Sequence, residues 1–453
     1  MTFAARTWGR MSLTARFTAI LLPLAVLLAV GTVVGIVFIL PPTMDFLGAN
    51  LPLVRFAVAV VGILVLTIPT AFVLIYMELK VIARMNLRVG PNRIGPWGAA
   101  MSLVHGFKVL TKEDFAPTGA DLTVFTLAPV VTFLASVMTL LVIPFAPGLF
   151  GQDLNIGVLY FFAMGGLSVL GLLMAGWASF NKYSLLGGLR SAAQIVSYEI
   201  PLTISVVGVI ILAGTMSMNA LVLKQSGSAL DWFAFKQPLA VLIFFIAATA
   251  EANRTPFDMT EADSEIVAGF ATEYSGMRFG FFFFAEYVNV FIVSALLVTL
   301  FFGGWTAPFD WPWPYNLNWL DASGIGILWL PIALAVLVIA TDILGAAIWL
   351  LGGRSWSAPA AFGLGLLIAG AGVTAAAGLA CFIAFDWVQG IFWFMAKTYV
   401  FVFTFVWMRG TLPRVRVDQL MGFAWKWLLP ASLLNLFVTA AAVIILNQPA
   451  TPR

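Results

Sequence analysis

Between residues 251 and 287 the chain reads EANRTPFDMTEADSEIVAGFATEYSGMRFGFFFFAEY. Glu251, Asp258, Glu261, Asp263, Glu265, Glu273 and Glu286 fall in this stretch, and Glu199 lies upstream. That makes eight carboxylates gathered in a chain only 9% charged and 62% hydrophobic. Acids beside apolar spans are costly, and they mark an ion or proton pathway or a buried polar ligand. The chemistry on offer is proton exchange. Glu251 closes one apolar run, Glu273 precedes the next, and Glu286 lies about two turns into it behind Phe281 to Phe284. Acids that share one region repel one another, so their titrations are coupled. Glu199 stands in SAAQIVSYEIP, two residues before Pro201. A proline there removes a backbone hydrogen bond and predicts a loosened helix with a polar cavity beside it. A neutral carboxyl bonded to a neighbouring helix is the alternative.

Other titratable residues are few. Lys397 and Asp342 each fall centrally in an apolar run, where a buried pair is the cheapest way to hold both. Lys397 is the better candidate for proton relay, because a buried amine is easily made to give up its proton. His105 is the one imidazole, a candidate proton donor to a ligand or else a packed surface residue. With one Cys, Cys381, and one His, the chain cannot ligate a four-thiolate cluster or a bis-histidine haem by itself. Any electrons must come from a partner.

The elements that position these groups are membrane spans. A mean hydropathy of +1.02 with 40 Phe and 16 Trp excludes a soluble globular class. Backbone in hydrocarbon must bond internally, and apolar runs of about 20 residues favour helices over barrel strands. The expected fold is an all-α polytopic membrane protein with spans near 18–40, 54–78, 122–145, 157–179, 190–213, 238–251, 279–302, 327–351, 359–384, 389–408 and 427–446. With the N-terminus cytoplasmic, inner segments carry eighteen Lys and Arg, while the outer ones carry Arg55, Lys224, Lys236 and Arg453. The positive-inside rule selects that orientation. The run from Phe17 to Leu40 is too long for a signal-peptide core and reads as a retained span.

Four inner segments stand out. Residues 79–121 are long and basic, with rigid turns at Gly90-Pro91 and Gly95-Pro96 and with Arg88 and Arg93 beside them. Met101, Leu103, Val104, Phe107 and Leu110 then predict a short amphipathic helix on the membrane surface. Residues 181–190, NKYSLLGGLR, read as a short turn; residues 251–278 are the acidic loop; residues 409–426 are again basic. The outer segment 303–325 is rich in Trp and Pro, as in an aromatic interface belt.

RMNLRVGPNRIGPWG (84–98), NKYSLLGGLR, SAAQIVSYE, the acidic loop, AEYVN (285–289) and RGTLPRVRVDQLM (409–421) resemble the signatures of the H subunit of proton-translocating NADH:quinone oxidoreductase, respiratory complex I. The resemblance runs from about residue 54 to 446 with one interruption. It implies an enzyme subunit that is not catalytic alone and sits in the cell inner (plasma) membrane. In that family the inner loops form a chamber with hydrophilic subunits, where quinone is reduced by an iron–sulfur cluster held in a partner. Buried carboxylates connect the chamber to the proton-pumping membrane arm.

The implied quinone-side residues are Arg88, Arg93, Arg254, Asp258, Glu261, Asp263, Glu265 and Glu273, to which His105 is added on the titration range of an imidazole. The implied proton-path residues are Glu78, Glu199, Glu251, Glu286 and Lys397. Quinone is the implied substrate, iron–sulfur clusters and flavin stay in partner subunits, and no metal site or nucleic acid is implied. The implied domains are an N-terminal tail and extra span (1–53), a core (54–326), two inserted spans (327–386) and C-terminal core spans (387–453). The chain departs from the family pattern at Leu79, where a basic residue is usual, at Met101 and His105, where Gln and Asp are usual, and at Ala271, where His is common. Two other readings are the equivalent membrane component of a ferredoxin-, deazaflavin- or hydrogenase-linked complex, and a stand-alone proton-coupled transporter. The transporter reading calls for inverted repeats, and the sequence shows no such symmetry.

Overall fold

A computed structural model describes residues 51–94, 96–147, 149–258, 268–309 and 386–446. The expected spans at 18–40, 327–351 and 359–384 lie outside these residues, as do Asp342, Cys381, Glu261, Asp263 and Glu265. The chain divides into two compact units. One comprises Phe56–Trp311 with Gly390–Arg453 and holds the site; the other comprises Met1–Arg55 with Pro312–Gln389. Of the second, residues 51–55 and 386–389 are described, and they are helical.

Among the described residues the architecture is helical, with a single isolated bridge between Ala146 and Leu149. The principal helices are α1 (Leu51–Met85), α2 (Met101–Leu110), α3 (Leu122–Thr139), α4 (Gly157–Ala178), α5 (Lys182–Ala213), α6 (Pro238–Glu251), α7 (Gly276–Phe301), α8 (Asp386–Thr411) and α9 (Leu429–Leu446). Six helical stretches among the described residues are long and apolar enough to cross a membrane: Leu122–Val142, Gly157–Ala178, Lys182–Ala213, Gly276–Phe301, Gln389–Thr411 and Val417–Ile445. The chain is an all-α, multi-pass membrane protein.

The stretch 181–190, expected as a turn, is instead the first part of α5. Asn181 caps it, its side-chain oxygen accepting from the Tyr183 amide at 2.9 Å; that satisfies one of the donors every helix start leaves open. Gly187 and Gly188 serve close approach. A Cβ on Gly187 would lie 2.6 Å from the Gly269 backbone, and one on Gly188 3.2 Å from the Gly176 Cα. Small residues let helix backbones meet in a membrane, where lipid supplies no hydrophobic drive between them. Pro201 does not end α5, which continues to Ala213 and is capped by Gly214 at φ 66°.

α6 has 14 residues, about 21 Å of helix, less than the ~30 Å of a hydrocarbon core. It packs against α5, α7 and α9 through Ala240, Ala247, Ala248 and Ala250, all 0% exposed. It stops at Glu251, because Asn253 takes a left-handed φ of 49°. α7 is the most buried of the six stretches. The expected surface helix is α2: it leans on α7 and leaves Leu103, Val104, Phe107 and Leu110 exposed.

Candidate functional site

The first cluster is ionic and buried. Glu78, near the end of α1, accepts a hydrogen bond from Arg409 in the last turn of α8. Arg254, just beyond α6, brings Nη1 to 3.6 Å from the other Glu78 oxygen. The Arg254 guanidinium also lies 4.3 Å from the ring centroid of Tyr287 on α7, a cation–π contact, and Tyr287 borders the same small space as Glu78 and Arg409. Glu78 and Arg254 are 8% and 7% exposed. The free space among these side chains is only about 10 Å³, so the cluster is tightly packed.

The second group borders a cavity of about 310 Å³, enough to hold several water molecules. Glu251 from the end of α6 and Glu286 from α7 line it, with Asn253, Asn289, Thr132 and Ser168 among the polar neighbours. Asn289 donates to the Glu251 backbone carbonyl at 3.4 Å. Glu199 stands close by. Its Oε1 lies 3.7 Å from the place of a Cβ on Gly166, and Glu251 Oε1 lies 3.8 Å from that of Gly165. Adjacent glycines of α4 thus face the two carboxylates, which interact electrostatically. Phe270, Phe279, Phe282 and Phe283 supply much of the remaining wall, so the two acids face a cavity of mixed polarity.

The two groups meet at one turn. Residues 252–258 leave α6 and run past both, with Glu251 before the turn facing the cavity and Arg254 within it facing Glu78. The segment after α8 holds this turn from the other side. The Val415 amide donates to the Pro256 carbonyl at 3.0 Å, and Arg414 binds Asp258 through its backbone carbonyl and its carboxylate.

The remaining expected residues lie apart. Glu273 accepts from Asn181 Nδ2 at 2.6 Å. Arg88 and Arg93 are exposed, in a loop that also exposes Leu87 and Trp97, and His105 is half-buried on α2. Lys397 is twelve residues before Arg409 on α8, about 18 Å along the axis. Its Nζ donates to the Phe302 and Thr306 carbonyls at 2.7 and 2.9 Å and lies 4.8 Å from the Trp232 ring centroid. Arg409, Tyr287, Asn253 and Asn289 were not singled out from the sequence. Arg409 opens the RGTLP motif and Asn289 closes AEYVN, so the motifs carried a signal, but the partners of these residues lie on other helices.

A family model described as NADH dehydrogenase matches residues 57–440. The chain belongs to that family. It is 40% identical over 400 residues to an NADH-quinone oxidoreductase H subunit of Solibacter usitatus, an alignment covering 85% of this chain and 95% of that one. To an H subunit of the same enzyme from Koribacter versatilis it is 42% identical over 405 residues, covering 86% and 89%. To that of Geobacillus kaustophilus it is 41% identical over 382 residues, covering 84% and 92%. As a member of the NADH dehydrogenase family of the H-subunit type, the chain has a family match that takes in both ionisable groups, from Glu78 to Arg409.

Proposed function

We propose that this chain is the membrane subunit of an NADH:quinone oxidoreductase in the cell inner membrane, where it forms part of the quinone chamber and the start of a proton path. The observation that carries the reading is the turn 252–258, which sets a buried Arg–Glu–Arg cluster back to back with an acid-lined cavity of about 310 Å³. Hydrophilic partner subunits oxidise NADH and deliver two electrons through their clusters, and the quinone takes these with two protons to become the quinol. This chain contributes charge and protons, not redox centres.

Arg254, Asp258 and Glu273 are assigned to the chamber side, with Arg88, Arg93 and His105 on the exposed inner loop where hydrophilic partners and the quinone would meet it. Glu261, Asp263 and Glu265 complete the acidic loop. Glu78 stands at the head of the path, and Glu199, Glu251 and Glu286 carry it into the membrane. Glu251 and Glu286 at one cavity, with Glu199 close to Glu251, support this order, since acids retained among apolar helices need such a use. Lys397 is assigned to the far end of the path, where its hydrogen bonds to Phe302 and Thr306 suit an anchor as well as a relay.

Glu251→Gln and Glu286→Gln test the reading. Both keep the shape and lose the proton. The expected result is a normally assembled complex that reduces quinone with a lowered number of protons translocated per electron pair. Normal translocation in both variants would remove the cavity from the path.

A further inference from the structure

The turn that joins the two ionisable groups is held by a residue outside both. Gln194 on α5 is 1% exposed. Its Nε2 donates to the Ala250 carbonyl at 2.8 Å and the Phe257 carbonyl at 2.7 Å, and approaches Asn253 Oδ1 at 3.3 Å. The assignment of nitrogen and oxygen in this amide is decided by chemistry, because two of the three neighbours are backbone carbonyls, which only accept. One NH2 group therefore ties the last residues of α6 to the far end of the turn, spanning Glu251, Asn253 and Arg254.

Backbone bonds and the segment after α8 also hold the turn, the Phe257 amide donating to the Arg254 carbonyl at 2.9 Å and the Val415 amide to the Pro256 carbonyl at 3.0 Å, while Gln194 bonds both of its ends through one group. α6 has ended, Asn253 is in the left-handed region at φ 49°, and the Ala250 carbonyl also accepts from the Asn253 amide at 3.3 Å. The Gln194 Oε1 atom accepts no hydrogen bond from any described residue. Buried amides elsewhere vary: Gln225, 0% exposed, donates through Nε2 to the Leu221 and Thr299 carbonyls and accepts through Oε1 from the Phe233 and Gly303 amides, whereas Gln237 Oε1, like that of Gln194, accepts from no described residue. Gln194 commits its donor end to acceptors at both ends of the turn, so a side chain without that donor leaves buried acceptors of the turn short of a partner.

We propose that Gln194 is the positioning residue that couples the two groups, setting the distance and orientation of Glu251 in the cavity relative to Arg254 beside Glu78. This deepens the function proposed above and rests on it. Gln194 touches neither quinone nor the exchanging protons. It acts through the turn, which can shift Glu251 and Arg254 only together while the amide clamps both ends.

The test uses the intact complex in membranes carrying Gln194→Leu, which keeps the bulk and removes the donor, and Gln194→Glu, which keeps the shape and turns a carboxylate oxygen toward the two carbonyls. NADH oxidation with a soluble acceptor that bypasses quinone counts assembled complexes. Per assembled complex, quinone turnover is expected to fall about fivefold or more in Gln194→Leu, the kinetic equivalent of losing one net hydrogen bond, with a larger fall in Gln194→Glu. The number of protons translocated per electron pair is expected to fall in both. Fewer complexes with unaltered turnover and proton ratio would show a role in folding alone and overturn the proposal. If Gln194→Leu does not assemble, Gln194→Asn, shorter by one methylene, decides: lowered turnover and proton ratio support the clamp, and wild-type values overturn it. Wild-type proton ratios in Glu251→Gln and Glu286→Gln would sink the functional reading itself. Defects in those two beside normal Gln194 variants would sink only this inference.

Discussion

Arg409→Met would break the buried ion cluster at its most direct contact. Glu78 is 8% exposed, and the Arg409 side chain is 24% exposed, so water offers the stranded carboxylate little. Removing one partner of a buried pair costs about 3–5 kcal/mol. Here Arg254, at 3.6 Å, stays in place, which puts the loss near the lower end, about 3 kcal/mol. Glu78→Gln has the opposite fault, leaving two guanidinium groups around a neutral amide. The double variant removes one charge of each sign and leaves Arg254 stacked on Tyr287. The effects should therefore not add: the double variant is expected to be no less stable than Arg409→Met, a coupling of about 2 kcal/mol or more. The assay is the half-life of quinone reductase activity in the detergent-solubilised complex at raised temperature, measured over the full cycle of variants. Each factor of ten in half-life corresponds to about 1.4 kcal/mol in the barrier. Arg409→Met is expected to shorten it at least tenfold, and adding Glu78→Gln to lengthen it again or leave it unchanged. Effects that multiply to within about twofold would show that Glu78 and Arg409 act independently and would refute the cluster.

Two further outcomes are expected. Lys397→Met strands the Phe302 and Thr306 carbonyls, and charge-assisted hydrogen bonds of this kind carry about 1.5–3 kcal/mol each; less assembled complex and a lower inactivation temperature should result. Lys397→Arg should restore assembly, and a reduced proton ratio in that assembled variant would place Lys397 in the proton path. Gly187→Ala would set a methyl 2.6 Å from the Gly269 backbone, an overpacking worth about 1–3 kcal/mol, seen as lowered thermal stability. Equal stability would mean that α5 and the end of the acidic loop can part at no cost.

Hydropathy made the spans legible because each segment meets the bilayer on its own terms. The expected runs at 122–145, 157–179 and 279–302 differ from the observed helices by only a few residues, and the expected run at 238–251 coincides with α6. The surface helix α2 was legible from its spacing for the same local reason. The start of α5 was misjudged, although Asn181 is a sound N-cap, because two glycines in NKYSLLGGLR read as turn residues; they prove to be contact points for Gly176 and Gly269.

What the sequence determined by itself was the set of membrane helices and the gathering of acids around residue 251, both of which are properties of a continuous stretch of chain. What only the tertiary structure decided was which charges face one another. Glu78 and Arg409 are 331 residues apart, and Gln194 reaches carbonyls 56 and 63 residues away. Such pairings arise when helices pack side by side, and the order of packing is set by close-fitting surfaces summed over the whole bundle. No local pattern of residues encodes that sum, so the division of the acids into an ion-paired cluster and an open cavity came into view only with the fold.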